Sequence, residues 1–282
     1  MLWQGRRESS NVEDRRGISG WHVALGGGIG GVIIILVISL ILGKYPLQFF
    51  QRIDSAGTEQ ILPAEQKNND ESAVFAKVVL ADTEDVWNRV FQKIGKQYVP
   101  PVMVLYSGEV ESACGMNTAA SGPFYCPADA KLYIDLSFFN ELKNRFHVAG
   151  NFADAYVIAH EVGHHVQNLL GITRQVEALQ SRASKKESDA LSVRLELQAD
   201  FFAGLWAHYD DQWNHVLESG DIQNALQAAN AVGDDRLQKG LRGYVVPDSF
   251  THGTSEQRMH WFMKGYQTGD ISEGDTFSAA SL

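Results

Sequence analysis

A single uncharged, apolar segment lies near the beginning of the 282-residue chain. No Asp, Glu, Lys or Arg occurs in residues 18–43, and residues 23–43 contain the run VIIILVISLIL. Because a helix needs about 20 apolar residues to cross a bilayer, the segment predicts one transmembrane helix over residues 18–43. The main alternative is a cleavable signal peptide, which would have a shorter apolar region and a small-x-small cleavage site. The run leads instead into Lys44-Tyr45-Pro46, which favours an uncleaved anchor.

The rest of the chain shows mostly helical periodicity with two short strand-like runs. Gly171 is placed to end one helix, and Thr254 with Gln257 forms a capping box that begins another. The predicted helices are 82–97, 137–146, 152–170, 174–184, 188–208, 222–232 and one that begins near residue 254, and the predicted strands are 102–106 and 131–135. We therefore expect an α+β domain that is mostly α. The predicted division is a cytoplasmic tail at 1–17, the transmembrane helix at 18–43, a linker at 44–73, a folded domain at 74–270 and a flexible tail at 271–282.

Charge and cysteine content bear on the location of the chain. Arg6, Arg7, Arg15 and Arg16 precede the apolar segment, whereas few basic residues follow it, so the positive-inside rule predicts a cytoplasmic N-terminus and an extracytoplasmic domain. The formal net charge of -10 argues against a nucleic-acid partner. The two cysteines, at 114 and 126, are too few for a zinc ribbon. They are expected to be buried thiols in a reducing compartment or a disulfide in an oxidising one.

The chemistry of the chain is indicated by the motif His160-Glu161-Val162-Gly163-His164. On a helix, residues four apart share one face, so the two imidazoles can bind one zinc ion. Glu161 would then lie beside the metal, where it can take a proton from bound water. The alternative is a helix with two histidines and no metal.

A third ligand is expected on a second helix, because a catalytic zinc ion usually has three protein ligands and one open position. Gln167 and Leu170 stand where the metzincin pattern needs Gly and His, so that pattern is excluded. Glu196 and Asp200 share one face of an otherwise apolar segment, and buried carboxylates need partners. We predict Glu196 as the third ligand and Asp200 as the acceptor that orients a ligand histidine. A solvated acidic face is the alternative.

With HEVGH followed by ELQAD, the chain resembles the gluzincin clan of zinc peptidases, whose ligands are His, His and Glu. Over its whole length it resembles a bacterial family of neutral zinc metallopeptidases with one membrane span and a C-terminal catalytic domain. The segments that carry this resemblance are 3–9, 11–16, 114–135, the two zinc segments and 249–266. The resemblance implies a zincin-like fold, bound Zn²⁺ and a place in the bacterial inner membrane, with the catalytic domain in the periplasm.

A later segment is similar to the Thr-His-Pro … Arg-Ile segment of membrane-linked gluzincins, with Gly253 in place of their Pro. The similarity implies that His252 stabilises the oxyanion formed from the substrate carbonyl. Arg258 is expected to hold this loop or to pair with a carboxylate. The segment 131–135 is expected to be an edge strand that binds an extended peptide.

The predicted function is hydrolysis of peptide bonds in a peptide or protein substrate by a zinc-activated water, with Glu161 as general base. Two alternatives remain open: an inactive membrane-anchored binding or scaffold protein, and a zinc hydrolase of a non-peptide amide. The sequence does not specify the oligomeric state.

Overall fold

The computed structural model describes residues 1–17, 70–148 and 150–282. The predicted transmembrane helix and most of the predicted linker lie outside these ranges. In the described ranges, no helix has the length and hydropathy needed to cross a bilayer.

The described residues form a mostly helical α+β structure, as the sequence pattern predicts. The strands are β1 Val12–Asp14, β2 Val102–Tyr106, β3 Glu109–Ser112, β4 Gly115–Thr118, β5 Phe124–Cys126 and β6 Lys131–Asp135. The helices are α1 Glu71–Lys93, α2 Ser137–Asn144, α3 Asn151–Leu170, α4 Ile172–Gln180, α5 Lys185–Asn214, α6 Asp221–Ala231, α7 Asp234–Arg242 and α8 Ser255–Thr268. Short 3-10 turns occur at Ala119–Ser121, Pro247–Ser249 and Ile271–Gly274.

Four strands form one sheet in the order β1-β2-β6-β5, and β3 pairs with β4 in a separate hairpin. Strands β1, β2 and β6 are parallel, and β5 runs antiparallel to β6. The predicted bounds of β2 and β6 are confirmed. The prediction that the segment 131–135 is an edge strand is wrong, because β6 lies between β2 and β5 and its backbone groups pair on both sides. The two edges of this sheet are β1 and β5, and β5 is the edge strand next to β6.

Aromatic side chains between α1, α3 and α5 form the centre of the core. Trp87 on α1 meets Phe202 on α5 edge to face, with ring centroids 5.5 Å apart. Phe152 on α3 stacks on Trp206 of α5 at 5.8 Å. Such pairs add specific geometry to the burial of large apolar surfaces, so they fix how the three helices lie against one another.

Helix α1 begins at Glu71 rather than at residue 82. Asp70 is the N-cap, and its side chain accepts a hydrogen bond from the backbone N–H of Ser72 at 3.0 Å. The first turns hold a run of buried apolar residues: Ala73, Phe75, Ala76, Val78, Val79, Leu80 and Ala81. A helix that is buried around most of its circumference has no polar face. The first turns of α1 therefore lack the amphipathic pattern on which the prediction of a helix over residues 82–97 is based.

Residues 1–17, predicted as a tail, pack against the same domain in the structure. Strand β1 pairs in parallel with β2, with Glu13 opposite Val104. Met1 and Trp3 are buried in the core, and Arg6 pairs with the buried Asp82 at 2.6 Å.

The C-terminal residues 271–282, also predicted as a flexible tail, contact α5. Gln198 donates a hydrogen bond to the carbonyl of Gly274 at 2.8 Å, and Thr276 donates to the carbonyl of Arg194 at 2.7 Å. The C-terminal residues therefore support the helix that carries Glu196 and Asp200.

Candidate metal centre

Helix α3 places the two motif histidines side by side. It runs from Asn151 to Leu170 and ends at Gly171, whose backbone has the left-handed φ of +79° that glycine adopts without strain. His160 and His164 lie near the middle of the helix, and their ring centroids are 4.8 Å apart. Their side chains therefore share one face, as the four-residue spacing predicts.

Helix α5 brings Glu196 to this face by crossing α3 at a glycine. A Cβ atom at Gly163 would lie 2.9 Å from the carbonyl oxygen of Ala199, so only a residue without a side chain permits this approach. One Glu196 carboxylate oxygen lies 3.2 Å from Nε2 of His160, and the other lies 3.4 Å from Nε2 of His164. The sequence HEVGH thus contains the two histidine donors and also Gly163, which allows Glu196 to approach them.

The geometry of these donors fits a zinc ion. One donor atom from each of His160, His164 and Glu196 can be chosen so that all three lie within 4.8 Å of one another. Tetrahedral zinc with bonds of about 2.0–2.2 Å holds its donor atoms roughly 3.3–3.6 Å apart. Two imidazoles and one carboxylate are also a typical donor set for catalytic zinc. These three residues could therefore hold the ion and leave a fourth position open.

The second ring nitrogen of each histidine has its own buried partner. Nδ1 of His160 donates to Asp200 at 2.8 Å, and Nδ1 of His164 donates to the side-chain oxygen of Gln167 at 2.9 Å. Gln167 is held in turn by its own donation to the carbonyl of Leu195 at 2.6 Å. With both Nδ1 atoms protonated, each Nε2 lone pair is free to face a metal ion.

Asp200 is fully buried and also binds residues beyond the ligands. Its carboxylate accepts hydrogen bonds from Tyr156 at 2.5 Å and from Arg258 at 2.8 and 3.0 Å. Burial raises the pKa of Asp200, but Arg258 and His160 outweigh it and hold the pKa below its usual value. Arg258 therefore pairs with a carboxylate, which is one of the two roles expected for it.

Glu161 lines the same cleft as the three donors and is itself buried. Burial raises the pKa of its carboxyl, and the neighbouring His160 and His164 partly oppose that shift. Glu161 therefore shares the cleft with the three donors.

His252 also lines the cleft, from the loop before α8. Asp234, at the start of α7, organises this loop: its carboxylate accepts backbone hydrogen bonds from Thr251, His252 and Gly253 at 2.7, 2.6 and 3.1 Å. It also lies 3.3 Å from Nδ1 of His252. The hydrogen bond to Asp234 raises the pKa of His252, although partial burial opposes it.

The cleft has a volume of about 670 Å³, and the edge strand β5 lines it through Phe124 and Tyr125. Tyr125 ties β5 to α3, because its hydroxyl accepts a hydrogen bond from Asn168 at 2.9 Å. The Cys114–Cys126 disulfide joins the β3–β4 hairpin to the end of β5. The cysteines thus take no part in the cluster of donors, and they brace the strand that borders it.

Two other histidines, His165 and His208, make hydrogen bonds elsewhere in the domain. Nε2 of His165 donates to the carbonyl of Val99 at 2.7 Å, and its Nδ1 lies 3.0 Å from the hydroxyl of Tyr125. Burial lowers the pKa of His165 to about 4. His208 contacts the carbonyl of Tyr266 at 2.7 Å. The expectation that His165 points away from the metal position is confirmed.

Three residues of the site are missed by the sequence analysis. Tyr156 and Gln167 lie in α3 at four and three residues from a motif histidine, and that spacing is the one signal that could have found them. Asp234 lies 18 residues before His252, and no local pattern connects them.

A mostly helical α+β domain with two histidines and a glutamate gathered around an open position belongs to the class of proteins that can hold a catalytic divalent metal. The chain matches the family described as "Putative neutral zinc metallopeptidase" over residues 1–277, and it belongs to that family.

Relatives of the chain come from several bacteria. It is 49% identical to "Uncharacterized protein YpfJ" of Escherichia coli (strain K12), over 98% of this chain and 99% of the relative. It is 43% identical to "Uncharacterized protein Rv2575" of Mycobacterium tuberculosis (strain ATCC 25618 / H37Rv), over 74% of this chain and 73% of the relative. The same figures hold for "Uncharacterized protein Mb2605" of Mycobacterium bovis. No solved structure matches the chain.

Proposed function

We propose that this protein is a zinc-dependent peptidase with a zincin-like catalytic domain that hydrolyses peptide bonds in its cleft. The observation that carries the proposal is the placement of three zinc-type donors, from His160, His164 and Glu196, at the wall of an open cleft that also contains Glu161. A structural zinc site is closed by four protein ligands and has no use for an adjacent carboxylate base. The presence of Glu161 therefore favours catalysis.

In this proposal each residue of the cleft has a separate role in amide hydrolysis. Zinc held by the three donors would acidify a water molecule and polarise the substrate carbonyl. Glu161 takes the proton of the attacking water and passes it to the leaving amine. His252, whose pKa is raised by Asp234, donates a hydrogen bond to the oxygen that becomes negative. Asp200 and Gln167 hold the two imidazoles in the tautomer and orientation that the reaction needs.

The substrate in this proposal is an extended peptide that lies along β5. An edge strand has unpaired backbone groups, which can bind the backbone of another chain. β5 pairs with β6 on one side, and its residues line the cleft. β5 therefore takes the peptide-binding role that the sequence pattern predicts for residues 131–135.

We also propose that the domain works outside the cytoplasm, anchored to the bacterial inner membrane by residues 18–43. The disulfide supports an oxidising compartment, since thiols in the cytosol are kept reduced. The apolarity of the segment supports the anchor. Because residues 1–17 share a sheet with the domain, this proposal puts both flanks of the segment on the same side of the membrane.

The proposal can be tested with the zinc-loaded full chain, purified in detergent, and a mixture of synthetic peptides analysed by mass spectrometry. Glu161→Gln should retain one zinc ion per chain and lose about 100- to 10,000-fold in cleavage rate, because proton transfer fails. The exposed Glu256 provides a matched control, and Glu256→Gln should cleave as the parent does.

Two outcomes would contradict parts of the proposal. A Glu161→Gln variant that cleaves as fast as the parent would exclude Glu161 as the base. A parent that holds zinc but cleaves no peptide would favour a scaffold or a hydrolase of a non-peptide amide.

A further inference from the structure

The Cys114–Cys126 disulfide has one exposed end and one buried end. Cys114 lies between β3 and β4, at the tip of their hairpin, and is exposed. Cys126, at the end of β5, is fully buried in a cluster of apolar residues that includes Val104, Val110 and Tyr133. A reagent that arrives from solvent therefore reaches the sulfur of Cys114 first.

The hairpin that carries Cys114 is only loosely attached to the rest of the domain. Within the described residues, β3 and β4 pair with each other and with no other strand. Val110 is the one buried residue of these two strands. Next to Cys114, the backbone N–H of Ala113 donates an exposed hydrogen bond to Asp129 at 3.0 Å. Because an isolated two-stranded hairpin is marginally stable in water, we infer that the disulfide is the main tether of its tip.

The chain between the two cysteines forms one wall of the cleft. The cysteines are 12 residues apart, and residues 121–125, which all line the cleft, lie between them. Phe124 stacks on Tyr133 at 4.8 Å and Tyr125 accepts its hydrogen bond from α3, so these two residues have ties of their own. Residues 121–123 precede those ties, and the disulfide closes the loop that contains them. Opening the disulfide removes this closure, so the loop gains conformational entropy.

We propose that Cys114 is a site of thiol–disulfide exchange with a dithiol reductant, and that reduction of the Cys114–Cys126 bond loosens the cleft wall at residues 121–125. The bond then acts as a redox control on the binding of substrate in the cleft. The candidate metal donors are unaffected, because they lie on α3 and α5. The effect on substrate rests on the proposed peptidase function, whereas the exchange and the loosening do not.

The exchange proceeds in two steps. A thiolate of the reductant attacks Sγ of Cys114 and bonds to it, while the bond to Cys126 breaks and Sγ of Cys126 leaves with the electron pair and takes up a proton. The second thiol of the reductant then attacks the reductant's own sulfur in this mixed disulfide, and Cys114 leaves as a thiol. The protein ends with two thiols, and the dithiol ends as a disulfide. The thiol of Cys126 remains in its apolar cluster, where a free cysteine behaves as a small hydrophobic residue.

The first arm of the test identifies the sulfur that reacts. The full chain in detergent is mixed with reduced glutathione, a monothiol that carries out the first step, and is quenched with acid at short times. Mixed disulfides are then located by mass spectrometry after digestion at acid pH. Glutathione should be attached to Cys114 about 10-fold or more in excess over Cys126 in the folded chain, and about equally to both in urea, because exposure limits the attack. Attachment mainly to Cys126, or no reaction of the folded chain, would overturn the inference.

The second arm measures the loosening and does not depend on turnover. Hydrogen exchange is compared between the oxidised full chain and the same chain reduced with a phosphine. Exchange should rise by about 10-fold or more in residues 108–127 and stay unchanged in α3 and α5, with the zinc content unchanged. Unchanged exchange in residues 108–127 would overturn the inference. Loss of protection throughout the domain would also overturn it, because the disulfide would then be a general staple of the fold.

The third arm connects the loosened wall to the cleavage of a synthetic peptide. Reduction should raise KM by about 10-fold with a smaller change in kcat, because binding is weakened more than the chemical step, and reoxidation with oxidised glutathione should restore the parent value. The double variant Cys114→Ala with Cys126→Ala should behave as the reduced chain does and should not respond to reductant. The exposed Met116 on β4 provides a matched control, and Met116→Ala should behave as the parent does in both states.

Two outcomes of this third arm have different meanings. Equal cleavage by the oxidised and reduced chains would overturn the redox control of substrate binding. A chain that exchanges and loosens as described but cleaves no peptide in either state would contradict the peptidase proposal and leave the exchange site at Cys114 supported.

Discussion

The carboxylate of Asp200 links His160 to a buried arginine. It accepts hydrogen bonds from His160, Tyr156 and Arg258, and its side chain and that of Arg258 are both almost fully shielded from solvent. A buried ion pair contributes little net stability, but loss of one partner leaves the other charge uncompensated. Asp200 is therefore expected to affect both zinc affinity and folding, and the two effects can be separated by mutation.

Asp200→Asn is expected to weaken zinc binding by about 10- to 100-fold, because His160 loses the acceptor that orients it. It should also lower the free energy of unfolding by about 3–5 kcal/mol, because Arg258 stays buried without a counter-charge. The double variant Asp200→Asn with Arg258→Met should regain part of the stability but not the zinc affinity. Competition with a zinc-binding dye and urea denaturation measure the two quantities. Unchanged zinc affinity in Asp200→Asn would contradict the role of Asp200 in orienting His160.

Asp234→Asn is expected to move the alkaline limb of the kcat/KM profile to lower pH. Asp234 raises the pKa of His252, so the protonated donor persists to higher pH in the parent. Without that charge the pKa falls back toward its usual value of about 6.5, and activity is lost earlier as the pH rises. The same pair stabilises the fold fully below the unfolded pKa and loses that effect as the pH rises through the folded pKa.

His252→Ala supplies the control for this profile. It should remove the limb and lower kcat by about 100- to 1,000-fold with zinc content unchanged. A limb at the same pH in the parent and in Asp234→Asn would show that His252 does not carry it.

At the residue scale, the sequence predicts the candidate metal donors better than the residues that hold those donors in place. Glu196 and Asp200 are conspicuous because two carboxylates occur four apart in an apolar segment. Tyr156 is not, since a tyrosine in an apolar helix is equally compatible with an ordinary core position. Asp234 binds a loop that is distant in sequence, and such a pairing depends on tertiary structure.

At the scale of elements, the metal centre depends on how closely α3 and α5 approach. The contact at Gly163 sets this distance, and a second pair of glycines acts in the same way between α5 and α8. A Cβ at Gly204 would lie 1.9 Å from the carbonyl oxygen of Phe262, and one at Gly265 would lie 2.0 Å from that of Phe201. Helix α8 thereby brings Arg258 against Asp200.

Gly163→Ala is expected to destabilise the fold by about 1–3 kcal/mol, because the added methyl overpacks the α3–α5 contact. The displaced helices should also weaken zinc binding. A Cβ added at Gly240 on α7 would have no neighbouring atom within 4 Å, so Gly240→Ala is a matched control. It should be neutral or stabilising by up to about 1 kcal/mol. Thermal or urea unfolding with and without zinc measures both variants, and equal stability of the two would contradict the role assigned to the crossing.

Elements that depend on long-range pairing are the ones that the sequence pattern does not predict. β2 and β6 have five residues each, most of them with buried apolar side chains, and their bounds are predicted correctly. β1 and β5 have only three residues, too few for a period, and each forms because a partner strand far along the chain or across a turn is available. The edge position of β5 depends on its pairing with β6, so the sequence pattern alone does not predict it.

At the scale of the whole molecule, residues 1–17 pack into the same folded unit as the domain that carries the donors. Arg6 reaches the buried carboxylates of Asp82 and Asp210, at 2.6 and 3.6 Å. Arg16 pairs with Asp70, so the residues on either side of segment 18–69 are joined. The four arginines counted for the positive-inside rule therefore include residues that form ion pairs within this fold. A tail and a domain that share a sheet lie on the same side of any membrane.

We therefore expect Ser10→Cys and Glu256→Cys, two exposed positions in the two parts, to react alike with a membrane-impermeant maleimide in intact spheroplasts. Both should be labelled before lysis or both only after it. Labelling of one before lysis and the other only afterwards would separate the two parts and restore the opposite-sided arrangement that the arginine count predicts.

The most direct test of the proposed metal centre is the zinc content of the purified full chain, measured by elemental analysis in the parent, His160→Ala and Glu196→Ala. We predict one zinc ion per chain in the parent, and loss of that zinc in both folded variants, because each variant removes one of three donors. A folded parent without zinc, or a Glu196→Ala variant that binds zinc as tightly as the parent, would contradict the assignment of His160, His164 and Glu196 as the ligands.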